Sequence, residues 1–149
     1  MPGRAASGEA TKTAPEGGRA RILVVDDSPT IRRHFRQLLE PSWIVCGEAS
    51  NGEEGIELCR SLHPDLVILD ALMPVMNGID AAEKMRQLFP EIPLLMVSQH
   101  SLRGLCELAR DTGVSGYVVK SDAGRTLVHA VEAVLRHELH FPPADYFHM

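Results

Sequence analysis

The stretch Ile22–Pro29 reads ILVVDDSP and contains three structural signals. Its four apolar residues predict a buried strand, and Ser28 followed by Pro29 predicts the N-cap and first turn of a helix. Between them stand Asp26 and Asp27, whose charges repel and whose ionisation becomes more costly with burial. The pair therefore indicates a bound cation. The alternative is that one acid caps the helix while the other is solvated.

The same strand-to-helix pattern recurs along the chain. Short apolar runs, each followed by a segment with helical spacing, are ILVV at 22, WIVC at 43, LVIL at 66, LLMV at 94 and YVV at 117. Strands that are apolar on both faces are typical of parallel sheets covered by helices on both sides. The sequence therefore predicts an α/β fold, a doubly wound five-stranded parallel sheet in a domain over residues 21–138.

Composition excludes several classes of protein. The 149 residues are 44% hydrophobic and 23% charged, as in an ordinary globular domain. A net charge of −5 without a Lys/Arg cluster argues against nucleic-acid binding, and no apolar run approaches the ~20 residues of a membrane span. Residues 1–20 have almost no large apolar side chains, so we expect a disordered tail. We expect a cytoplasmic protein whose three cysteines are buried thiols.

Polar residues stand at the ends of four predicted strands, where doubly wound sheets bind ligands. They are Asp26 and Asp27, Asp70, Ser98 and Lys120. Three carboxylates at one edge suit a divalent cation, and Mg²⁺ fits best because it needs few protein ligands. A lysine and a hydroxyl add the charge and the donor of a phosphoryl site. Asp70 ends its strand alone and is the candidate nucleophile for an aspartyl phosphate.

These motifs together resemble the receiver domain of bacterial two-component response regulators. The resemblance rests on DD at 26–27, Asp70 followed by MPVMNG at 73–78, Ser98 after LLMV, and Lys120 in GYVVK. It implies a flavodoxin-like fold with strand order 2-1-3-4-5. The run GYVVKSDAG is closest to receivers that usually precede a helix-turn-helix domain. Only residues 139–149 follow the domain, so we expect a stand-alone receiver; the alternative is a fragment that lacks an output domain.

The resemblance also implies a reaction. A histidine kinase or histidine phosphotransfer protein would donate a phosphoryl group to Asp70, and the receiver would catalyse both this transfer and its own dephosphorylation. Mg²⁺, with Mn²⁺ as a substitute, would be held by Asp26, Asp27, Asp70 and the backbone carbonyl of Leu72. Lys120 would stabilise the phosphoryl oxygens.

Further residues take roles by their position in the motifs. Ser98 would donate to the phosphoryl group while Tyr117, the switching aromatic, turns inward. Leu72 and His100 stand where the family tunes hydrolysis. A leucine cannot position water, so slow self-dephosphorylation is expected, although His100 could counter it by hydrogen bonding. The output would be binding to a downstream protein through helix four, strand five and helix five, by a monomer or a phosphorylation-dependent dimer.

Three surface and loop features complete the expectations. The exposed face of the first helix, Arg32, Arg33 and Arg36, is predicted to receive the phosphodonor protein. Asn77-Gly78 is predicted to form a turn with positive φ. The terminal aromatic residues are predicted to fold back on the domain, or alternatively to dock a partner; they are Phe141, Tyr146 and Phe147.

Two other functions compete with the signalling switch. A phosphorylation-independent adaptor would keep only the fold, but the complete set of acids, Ser98 and Lys120 argues against such a loss. A phosphatase of the haloacid dehalogenase type also uses a strand-end aspartate, Mg²⁺ and a lysine. It requires Asp-x-Asp after strand one, and Asp26-Asp27-Ser28 lacks that alternation.

Overall fold

The computed structural model describes residues 18–99, 103–143 and 146. Its strands are β1 (Arg21–Val25), β2 (Ile44–Ala49), β3 (Leu66–Asp70), β4 (Leu94–Ser98) and β5 (Gly116–Val119). Its helices are α1 (Pro29–Leu39), α2 (Gly52–Leu62), α3 (Gly78–Leu88), α4 (Arg103–Thr112) and α5 (Ala123–Leu135), with a 3₁₀ turn at Lys120–Asp122. The predicted alternation of strands and helices is confirmed.

The five strands form one parallel sheet in the order β2-β1-β3-β4-β5, which confirms the implied order 2-1-3-4-5. The register pairs Val25 with Leu69, Asp70 with Val97 and Ser98 with Val119. Because paired residues lie level across a sheet, the carboxyl ends of β1, β3, β4 and β5 meet at one edge. The strand-end residues are brought together there.

Two apolar layers cover the sheet, one on each face. One layer includes Val25, Leu69 and Tyr117 together with buried residues of α2, α3 and α4, and the other joins Phe35 of α1 and Leu127 of α5 to the opposite face. Every residue of β3 is buried. Since a central strand contacts both layers, its side chains must be apolar on both faces, which is why the sequence shows unbroken apolar runs.

The start of α1 follows the sequence prediction. Ser28 is the N-cap, its side chain accepts a hydrogen bond from the Ile31 amide at 3.2 Å, and Pro29 is the first helical residue. Asp26 Oδ1 accepts from the Ser28 amide at 2.9 Å, before the helix begins. The alternative in which an acid is the helix cap is therefore wrong, because the serine fills that position.

The prediction of positive φ at Asn77-Gly78 is wrong. Asn77 is the N-cap of α3 with φ −70°, and in the described residues the only glycine with positive φ is Gly113. Gly78 is required for a different reason: a Cβ there would lie 2.0 Å from the carbonyl oxygen of Asp70. Its amide also donates to the Ala71 carbonyl at 2.8 Å. The glycine allows α3 to begin directly against the end of β3.

Residues 139–143 and 146 form a return segment that folds back along the domain. Phe141 and Tyr146 pack against the core layer that contains Tyr117, whereas Phe147 lies outside the described residues. The fold-back predicted for the first two aromatics is thus observed. The boundaries at residues 20 and 138 stay predictions, and residues 1–17 of the expected disordered tail lie outside the described part.

Two remaining expectations concern cysteines and membranes. Cys59 and Cys106 are buried, as predicted, and Cys46 is half-buried. Among the described residues, each helix is too short or too polar to pass through a bilayer.

Candidate functional site

The three acids predicted to act together form a cluster at the carboxyl edge of the sheet. One carboxylate oxygen from each of Asp26, Asp27 and Asp70 lies within 4.8 Å of the others. Asp26 and Asp70 are buried, with 0% and 4% exposed, and Asp27 is exposed. The Asp26 amide donates to the Ala49 carbonyl at 3.0 Å, so sheet hydrogen bonding fixes this residue in position.

Lys120 is the cation of this cluster. Its Nζ lies 2.7 Å from Asp26 Oδ2 and 3.3 Å from Asp70 Oδ2, and its side chain is only 12% exposed. Burial lowers the pKa of the Lys120 ammonium, but the contact with Asp26 and the charges of Asp70 and Asp26 outweigh it. The net shift of the Lys120 pKa is upward. The lysine is therefore held charged between two acids.

The surroundings of Asp70 disfavour its ionised form. Burial, and then the charge of Asp26, raise the pKa of Asp70 to about 6, although Lys120 and the Leu72 amide act in the opposite direction. The Leu72 amide donates only a long bond of 3.4 Å to Asp70 Oδ1. A carboxylate whose pKa is raised holds its charge at a cost, and it gains from a cation or from forming a covalent bond.

The residues present fit a divalent cation. Three ionised carboxylates and one ammonium leave a net charge of −2 (−3 + 1), which one divalent ion balances. Asp26 Oδ2 is fully buried, and the Lys120 ammonium lies 2.7 Å from it. Oxygen ligands in this number suit Mg²⁺. The role of the Leu72 carbonyl as a further ligand stays a prediction.

Ser98 and Tyr117 are two buried residues joined by a side-chain hydrogen bond. Ser98 is 1% exposed and Tyr117 is fully buried. Burial raises the pKa of Tyr117, whereas its hydrogen bond with Ser98 works against that rise. The ring that was predicted to turn inward already lies inside the domain, with its hydroxyl joined to the strand-end serine.

A cleft of about 300 Å³ opens onto Asp70. Its lining residues are Asp27, Ser28, Ile31, Asp70, Leu72, Ser98, Gln99 and Lys120. The Leu72 side chain, 50% exposed, is an apolar wall of this opening. His100, predicted to act on the same opening, lies outside the described residues.

The arginines of α1 that were predicted to form a docking face are less exposed than the sequence suggests. Arg32 Nε and Arg36 Nη2 contact the two carboxylate oxygens of Glu48 at 2.8 and 2.7 Å, and Arg32 Nη1 donates to the Asp26 carbonyl at 2.8 Å. The Arg32 side chain is only 18% exposed. Of the three, only Arg33 is an exposed residue, whereas Arg32 and Arg36 are half-buried. The expectation that all three arginines are exposed is therefore corrected, because Glu48 on β2 forms ion pairs with two of them. Their role in receiving the phosphodonor protein stays a prediction.

Two contributors to the site were missed by sequence reasoning: Glu48 orients α1 beside Asp26, and Gln99 lines the cleft. Gly78, which was expected to shape the loop after Asp70, does so by allowing α3 to approach that residue. Glu48 carried one usable signal, since it is a charged residue near the end of an otherwise apolar strand. Its ion-pair partners on α1 could not be identified until the register of β2 in the sheet was known.

Comparison with known proteins agrees with this geometry. Residues 22–132 match the family described as the response regulator receiver domain. The chain is 40% identical over 124 residues to the nitrate/nitrite response regulator protein NarL of Escherichia coli (strain K12), covering 80% of this chain and 56% of that protein. It is 34% identical over 118 residues to Protein CcdB of Bacillus subtilis (strain 168), covering 78% of this chain and 98% of that protein.

Solved structures lead to the same assignment. The crystal structure of a two-component response regulator of the LuxR family from Aurantimonas sp. aligns with a TM-score of 0.80 at 35% identity, covering 84% of this chain and 91% of that one. The chain spans about half the length of NarL, at 56%. With the strand order, the acid cluster and the matched residues in agreement, the chain belongs to the family of response regulator receiver domains.

Proposed function

We propose that this receiver domain accepts a phosphoryl group on Asp70 from the phosphohistidine of a histidine kinase or histidine phosphotransfer protein, in the presence of Mg²⁺. The observation that carries the proposal is the position of Asp70. It faces the cleft from the end of the central strand, beside a second buried acid and a lysine 3.3 Å away. The members of this family are signalling proteins that accept a phosphoryl group, and we assign the acceptor in this chain to Asp70.

The transfer exchanges one bond to phosphorus for another. The bond between the donor's imidazole nitrogen and phosphorus breaks, a bond forms from an Asp70 carboxylate oxygen, and the imidazole, protonated on its other ring nitrogen, leaves as the neutral histidine side chain. Mg²⁺ held by Asp26, Asp27 and Asp70, with the Leu72 carbonyl as a proposed fourth protein ligand, would neutralise charge on the phosphoryl oxygens. Mn²⁺ prefers the same oxygen ligands and would serve as a substitute.

The remaining polar residues would stabilise the product. Lys120 already lies between Asp26 and Asp70, so its Nζ needs only a small movement to contact a phosphoryl oxygen. Ser98 can turn its hydroxyl hydrogen from the Tyr117 oxygen to the phosphoryl group and accept from the Tyr117 hydroxyl instead. Phosphorylation would thereby be communicated from the strand ends to the buried tyrosine.

Hydrolysis of the product should be slow. The Leu72 side chain stands at the cleft, half exposed, and offers no polar atom to orient an attacking water. The opposite effect proposed for His100, which would speed hydrolysis by hydrogen bonding, stays a prediction. The output would be a change in the surface of α4, β5 and α5. Through this surface the receiver would bind a downstream protein, either as a monomer or as a phosphorylation-dependent dimer.

Intact-mass spectrometry tests the proposal directly. The full chain is incubated with Mg²⁺ and a small phosphodonor such as acetyl phosphate, and a gain of one phosphoryl group is expected. Asp70→Asn should show no gain, whereas the matched control Asp80→Asn, an exposed acid of α3, should gain the group as wild type does.

Three outcomes decide the matter. A gain that persists in Asp70→Asn would contradict the assignment of the acceptor. No gain in wild type, with the fold intact by circular dichroism, would favour the phosphorylation-independent adaptor. Turnover of many donor equivalents per second without accumulation would favour a phosphatase.

A further inference from the structure

The chain reverses direction immediately after α5. His137 has a left-handed φ of 65°, its amide donates to the Val134 carbonyl, and the Glu138 amide donates to the Ala133 carbonyl, both at 2.9 Å. This pair of bonds is the Schellman motif, which closes a helix and turns the chain sharply. The return segment therefore leaves α5 in a direction that the helix end itself determines.

The return segment lies on the outer edge of β5. His140 pairs in parallel with Gly116, its carbonyl accepts from the Tyr117 amide at 2.9 Å, and its amide donates to the Ser115 carbonyl at 2.9 Å. β5 is the last strand of the sheet, so without this segment its edge would present unpaired backbone groups. A Cβ at Gly116 would lie 2.9 Å from the His140 carbonyl oxygen, which shows how closely the two backbones approach.

Two side chains anchor the return segment beside β5. The Arg110 guanidinium of α4 lies 4.2 Å from the centre of the Phe141 ring. The Tyr146 hydroxyl donates to the carboxylate of Asp122, which immediately precedes α5. The segment therefore contacts α4, β5 and the start of α5. Local opening of such a segment at the edge of a sheet does not require the sheet itself to unfold.

The anchors are connected to the phosphoryl site through very short stretches of chain. Asp122 belongs to the same 3₁₀ turn as Lys120, which contacts Asp70. Tyr117 bonds to the return segment through its amide and to Ser98 through its hydroxyl. Any group that attracts Lys120 and Ser98 thus acts on both attachments of the segment.

We propose that the return segment is an intramolecular ligand that covers the edge of β5 while Asp70 is unmodified, and that a phosphoryl group on Asp70 releases it. Release frees the edge for an extended segment of a partner protein, which would add to β5 in the same parallel manner. The inference rests on the proposed phosphorylation of Asp70. The coupling is reciprocal: whatever binds the freed edge favours the phosphorylated form.

Hydrogen exchange of the full chain, followed residue by residue by NMR, tests for the cover itself. Phe141→Ala should increase the exchange rates of the Tyr117 and His140 amides at least tenfold. The control Leu139→Ala removes a side chain that is 70% exposed in the same segment, and should leave both rates unchanged. Tyr146→Phe, which removes only the hydroxyl bonded to Asp122, should increase both rates more modestly.

The coupling is tested by repeating the exchange after treatment with acetyl phosphate and Mg²⁺. Wild type should then exchange at both amides as fast as Phe141→Ala, while Asp70→Asn should not respond. A synthetic peptide matching residues 139–149, used as a model of an extended partner segment, should bind the phosphorylated protein at least tenfold more tightly than the unmodified one.

The outcomes separate this inference from the proposed function. A mass gain at Asp70 with unchanged exchange, or with equal peptide affinity for both forms, would overturn the release and leave the phosphorylation in place. No mass gain would overturn both. Equal exchange in Phe141→Ala, Tyr146→Phe and wild type would show that the segment does not cover the edge.

Discussion

Replacing Asp70 by asparagine should stabilise the metal-free domain. The pKa of Asp70 is about 6 in the folded protein against an ordinary value of 3.8. Between about pH 4 and pH 6 the folded protein therefore keeps a proton that the unfolded chain has lost, and the free energy of unfolding falls as pH rises through this window. Above pH 6 the whole penalty is present. Two pKa units correspond to about 3 kcal/mol, an upper value for the gain in Asp70→Asn at pH 7.

Urea unfolding followed by circular dichroism, with a chelator present, measures this gain. Wild type should lose stability between pH 4 and pH 6 in addition to any change that Asp70→Asn shows over the same range. Asp111→Asn, which removes an exposed carboxylate of α4, is the control and should change stability by less than about 0.5 kcal/mol. An Asp70→Asn variant no more stable than wild type at pH 7, with the same pH dependence, would refute the reasoning.

Magnesium should narrow the difference in stability between the two proteins. A ligand at ten times its dissociation constant stabilises the folded state by about 1.4 kcal/mol. Wild type should gain this amount as Mg²⁺ is raised, whereas Asp70→Asn, with one of three acids removed, should gain much less. Equal gains in both proteins would show that Asp70 is no part of the cation site.

Three other predictions concern single residues. Gly78→Ala should lower the free energy of unfolding in urea by at least about 2 kcal/mol, since its Cβ would overlap backbone atoms. The control Gly124→Ala, with open space around it, should be neutral or stabilising. A neutral Gly78→Ala would contradict this. Leu72→Asn should shorten the lifetime of phosphorylated Asp70, measured by decay of the added mass, and equal lifetimes would refute the proposed role of the leucine. His137→Gly should raise the free energy of unfolding by about 1 kcal/mol, because glycine adopts the left-handed backbone of this position without strain. The midpoint of urea unfolding should rise accordingly, and an unchanged midpoint would contradict this prediction.

The sequence alone was enough for the fold class and for most of the acid site. In ILVVDDSP, the buried strand, the N-cap at Ser28 and the helix start at Pro29 all depend on neighbours in the chain, and all were confirmed. The meeting of Asp26, Asp27 and Asp70 could also be predicted, because the carboxyl ends of parallel strands always share one edge.

Only the tertiary structure determined the contacts between residues that are far apart in sequence. Arg32 and Arg36 looked exposed until the register of β2 placed Glu48 beside them. Gly78 looked like a turn residue until α3 was seen against the carbonyl of Asp70. The aromatic residues after α5 had an expected place on the domain, but not a particular strand or partner. Apolar and charge patterns determine which face of an element is buried, whereas the identity of the atoms that meet there depends on register and distance, which only the folded chain supplies.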